Sequence, residues 1–113
     1  MDLVPLDVQI KANQYLNETV TQLEKDFLMI GVNFDISKPV KDYRQLFEFT
    51  NHLVNALNEK DPTRILNLLY RIDLPEEKVQ SEMQNSQLSF SEMLSELIVK
   101  RELFKVVLRK KYS

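Results

Sequence analysis

A single glycine and four prolines in 113 residues leave this chain almost no material for turns. An all-β domain needs a turn signal roughly every 8–12 residues, and that spacing cannot be met here. Long segments with apolar residues three and four apart then mean helices. The expected class is all-α, and 1–113 fits one domain with one core.

The first helix is expected over about 5–30, with Pro5 in its first turn and Leu6, Ile10, Leu16, Val20, Leu23, Phe27 and Ile30 as its seam. Gly31 follows as a left-handed stop. Phe34 and Ile36 alternate in a short extended stretch that should plug the end of the core. Ser37 and Pro39 introduce a second helix over about 40–59. Asp61-Pro62 pairs a capping residue with proline at the first helical position, starting a third. Ile65, Leu66, Leu68, Leu69 and Ile72 cover more than one face, so deep burial is expected for it. Pro75 breaks that helix and restarts a polar segment over about 75–84, held down by Val79 and Met83. Ser89-x-x-Glu92 is a capping box that opens the last helix, with Phe90, Met93, Leu94, Leu97, Ile98, Phe104 and Leu108 facing inward. These lengths suit a four-helix up-down bundle with the third helix broken near Pro75; the alternative is a five-helix globule.

Several chemistries are absent from the residue list. There is no cysteine, so disulfides and thiolate metal sites are excluded. His52 is the only histidine, which rules out HExxH zinc and paired Glu-x-x-His centres within one chain. Glu48 is one helical turn before it, and a half-exposed structural pair is expected. Gly31 stands alone, so no nucleotide-binding glycine loop exists. No cofactor is indicated, and the chain is expected to be non-catalytic. The exception is a pair of carboxylates distant in sequence, which can meet in a fold and leave no local motif. Neither a signal peptide nor an apolar run of roughly 18 residues is present, so a cytoplasmic protein without membrane partners is expected.

The net charge of −2 hides an asymmetry: residues 1–99 carry 9 basic and 16 acidic groups, while 100–113 carry six basic groups against Glu102. Lys100, Lys105, Arg109, Lys110 and Lys111 form a basic patch that could follow a nucleic-acid backbone. Few aromatic residues interleave, and Asp2, Asp7, Glu59 and Asp61 are expected to neutralise that end. The break between 62–72 and 75–84 is spaced like a helix-turn-helix, but Glu76, Glu77 and Glu82 on its second helix would repel phosphates. Nucleic acid is therefore the secondary reading.

The last helix has a second apolar stripe. Val99, Leu103 and Val106 stand opposite Leu94, Leu97, Phe104 and Leu108 on the helical wheel. A helix apolar on both sides is central in its fold or covered by a partner. In a four-helix bundle no helix is central, so this stripe is the expected interface, rimmed by Lys100, Lys110 and Glu102, for a second copy or another protein. Asn13, Thr50 and Arg101 fall on inward-facing stripes and form a candidate internal polar layer, structural or able to hold a small ligand. The leading expectation is a protein–protein interaction domain, homodimeric through its last helix.

Overall fold

A computed structural model of the chain describes residues 13–34 and 40–112. The expected helix start at Pro5, with Leu6 and Ile10, and the residues Ile36, Ser37 and Pro39 lie outside them. The described residues form five helices: α1 (Leu16–Met29), α2 (Tyr43–Lys60), α3 (Pro62–Arg71), α4 (Glu76–Asn85) and α5 (Phe90–Tyr112). The fold is all-α, with no strand among the described residues, and the break near Pro75 falls where the sequence places it.

Local chemistry fixes the helix ends. After α1, Gly31 takes φ 80°; its N–H donates to the Leu28 carbonyl and the Val32 N–H to that of Phe27, both at 2.9 Å. That pair of bonds is a Schellman stop. The same stop recurs after α3 without a glycine. Asp73 takes φ 63°, its N–H donates to Tyr70 and that of Leu74 to Leu69. The second helix begins at Tyr43, later than the position-40 start expected, because the Asp42 side chain accepts from the Gln45 N–H at 2.9 Å and defines the cap. Asp61 ends α2 and precedes Pro62 of α3, so the two helices meet at one residue. Its carboxylate does not cap α3 as expected; it accepts from Arg64 Nε at 2.8 Å. The capping box of α5 forms as read, with Glu92 N–H donating to Ser89 Oγ and Ser89 Oγ–H donating back to Glu92.

The chain builds its core around α5, which packs against α1, α2 and α4. Antiparallel order with α1 is set by Lys105 beside Asp26, Arg109 beside Gln22 and Lys110 beside Glu18. Helix α3 also runs antiparallel to α1, through Arg71 to Asp26 and Arg64 to the Gly31 carbonyl. Phe34 is buried between Phe27 and Phe49, at ring-centre distances of 5.0 and 4.9 Å, and so belongs to the core.

Two packing expectations need correction. Helix α3 buries Ile65, Leu68 and Leu69 but turns Leu66 and Tyr70 to solvent, and α4 is held by Val79 alone, with Met83 exposed. The phase of α5 is the larger correction. Its first half is buried nearly all round, through Met93, Leu94, Ser95, Leu97, Ile98 and Val99. In its second half the buried residues are Glu102, Leu103 and Val106. The proposed interface stripe of Val99, Leu103 and Val106 is thus core within one chain, and Phe104 and Leu108 point outward. Leu94, Leu97, Arg101, Phe104 and Leu108 share one sector of the wheel. Cover over that sector stops at Arg101, whose Nε donates to the Ile72 carbonyl at the end of α3.

Candidate functional site

Asp26 on α1 and Glu102 on α5 are both buried acids on otherwise apolar stripes. Asp26 accepts from Arg71 Nε of α3 at 3.0 Å, from Gln22 Nε2 at 2.9 Å and from Lys105 Nζ at 3.4 Å. Lys105 Nζ also lies 3.5 Å from Glu102 Oε1. Outside Asp26 and Lys105, neither Glu102 oxygen has a hydrogen-bond partner among the described residues. Burial raises the Glu102 pKa, hydrogen bonding to Asp26 and the Asp26 charge raise it further, and Lys105 opposes them; the result is about 9. At Asp26, burial is outweighed by hydrogen bonds from Glu102, Gln22 and Lys105 and by the Lys105 charge, so its pKa falls below the usual value. One acid is therefore ionised and the other protonated at neutral pH, the division that acid–base catalysis exploits.

Asp26 and Glu102 are 2% and 0% exposed. A surface cleft of about 560 Å³ between α1 and α5 reaches Gln22, beside Lys25, Arg109 and Val106. What the cluster does is clasp α1, α3 and α5 together while holding a proton out of water. The sequence contained a signal for it: Asp26 sits between Leu23 and Phe27 in the α1 seam, and Glu102 lies within the Val99/Leu103/Val106 stripe. Reading Glu102 as a solvent-facing rim residue concealed it.

The three members of the expected polar layer do not meet. The exposed Asn13 accepts from the Tyr43 N–H at 2.7 Å, at the start of α2. Thr50 is buried but donates to the Leu46 carbonyl of its own helix at 2.8 Å, so it needs no cross-helix partner. Arg101 holds the Ile72 carbonyl, stands 3.8 Å from Asp73 and stacks over the Phe104 ring. A hydroxyl that satisfies itself on the preceding turn and an arginine that serves a helix end explain all three.

The basic patch is largely matched inside the chain. Lys100 pairs with Glu96 at 2.8 Å, Lys105 with the buried acids, and Lys110 with Glu18 at 3.4 Å; Arg109 donates to Gln22 at 2.6 Å. Lys111 lies over the Tyr112 ring. Of the acids expected to neutralise this end, Asp2 and Asp7 lie outside the described residues, and Asp61 pairs with Arg64. His52 is exposed, and Glu48 faces Arg44 at 4.0 Å. No helix among the described residues is long and apolar enough to cross a membrane.

One apolar face open to a partner lies on α5. Phe104, Leu108 and Tyr112, four residues apart, are 51%, 37% and 77% exposed. A second apolar region lies across α3 and α4, where Leu66 and Phe90 line an open cleft of about 470 Å³. Comparison with known proteins gave no match, whether to a family model, a curated protein or a solved structure.

Proposed function

We propose that this chain is a non-catalytic helical interaction domain that associates through the outer face of α5, with a second copy of itself as the partner. The observation that carries this reading is the exposed Phe104/Leu108/Tyr112 stripe. These residues repeat on one side of a helix whose other side is already buried, as in an amphipathic helix waiting for cover. Full burial of a large apolar side chain is worth about 1.5–3 kcal/mol, so three from each copy offset a good part of the association cost. The burial of Asp26 and Glu102 supports a non-catalytic role. A nucleic-acid role has less support, because most cations of the basic end already have partners within the chain.

The test is molar mass against concentration by sedimentation. The wild-type chain should associate in the micromolar range with little dependence on salt, and Phe104→Glu should be monomeric with unchanged helix content. A wild-type chain that stays monomeric up to about 1 mM overturns the reading.

A further inference from the structure

We propose that the outer stripe of α5 docks into the α3/α4 cleft of another copy, rather than against that copy's own stripe. This rests on the self-association proposed above and assigns its second surface. The cleft exists because α3 and α4 part at Pro75 and only Val79 holds α4 to the core. Its apolar lining includes Ile65, Leu66, Leu69 and Phe90, and it shares Leu66, Leu69 and Glu76 with a neighbouring hollow of about 220 Å³ beside Tyr70 and Leu74. A helix laid in such a groove is held by side chains recurring three and four residues apart, and Phe104, Leu108 and Tyr112 recur at four.

Charge selects the occupant. The charged residues lining the cleft and hollow are Asp73 and Glu76, both acidic. The stripe carries Arg101 at one end and Lys111 at the other, and residues 103–113 hold no acid. Asp73 already faces Arg101 of its own chain at 3.8 Å, so the opposite charges that stripe in cleft would bring together are Lys111 and Glu76. The two surfaces differ, so each copy offers one of each. Association closes if the pair docks reciprocally and extends into chains if it does not.

Complementation tests this. Leu66→Glu spoils the cleft and leaves the stripe; Phe104→Glu does the reverse. Each variant alone should be monomeric, while an equimolar mixture should recover a dimer, because one intact stripe then meets one intact cleft. If Leu66→Glu associates like the wild type and Phe104→Glu does not, the stripe uses another surface. This inference then fails while self-association through α5 stands. Two monomeric, helical variants that do not recover a dimer on mixing also overturn it. Wild-type monomer at all concentrations removes both. Should Leu66→Glu lose helix content, Glu76→Lys replaces it: the exposed side chain reverses the cleft's charge, with helix content checked because Glu76 also opens α4. It should weaken association at least fivefold at low salt, and unchanged affinity would count against the cleft.

Discussion

Two residues in left-handed backbone end helices by the same pair of hydrogen bonds, and they should respond oppositely to substitution. At Gly31 a side chain meets both an unfavourable φ and Arg64 Nη1, 3.0 Å from where its Cβ would stand. Gly31→Ala should therefore destabilise the chain by about 1–2 kcal/mol in urea unfolding. At Asp73 the strain is already present, and the exposed carboxylate gives up only a 3.8 Å contact with Arg101. Asp73→Gly should leave stability unchanged or raise it by up to ~1 kcal/mol, since relief of strain competes with the greater freedom of glycine in the unfolded chain. The first stop was legible in the sequence because glycine announces it. The second was not, because an aspartate before Leu-Pro reads as a capping or turn residue, and only the surrounding bonds place it in the left-handed region.

At the scale of the element, α5 shows how far periodicity carries and where it stops. Its two apolar stripes were legible; which one faces the core was not, since the wheel ranks faces by residue type and both qualified. The neighbours decide: they surround the first half and cover one side of the second. An acid within a stripe was the overlooked clue. Glu102 was taken for a rim because acids usually are, yet here Asp26, Lys105 and burial hold it inside. The phase can be checked with adjacent substitutions. Leu103→Ala should cost about 2–5 kcal/mol and Phe104→Ala less than about 1 kcal/mol, measured on the dilute monomer so that association does not contribute. Equal losses at the two positions would contradict the packing described.

For the whole molecule, the class, the break at Pro75 and the capping box followed from glycine scarcity, proline placement and spacing. The clasp across α1, α3 and α5 did not, because its members lie 45 and 79 residues from Asp26 and nothing local links them. It gives the fold a pH response. Glu102 has a raised pKa when folded, so its contribution to stability is fully present below its ordinary value near 4.5 and declines as pH rises towards about 9. Asp26 has a lowered pKa, so its contribution is lost as pH falls below its ordinary value of 3.8. Stability should therefore peak in mild acid and fall towards pH 9 by up to ~1.4 kcal/mol per unit. Glu102→Gln keeps a donor for Asp26 but has no proton to lose. Its thermal midpoint should stay flat between pH 5 and 9, where that of the wild type declines.

The same clasp has a consequence in time. Contacts spanning 45 and 79 residues need α1, α3 and α5 brought together, so the clasp is expected to form late, after the folding barrier. Interactions absent from the transition state act on the unfolding limb. Asp26→Asn should leave the refolding rate nearly unchanged in stopped-flow measurements and speed unfolding by at least tenfold. The buried acids then act as a latch that sets how long a folded molecule lasts before it opens.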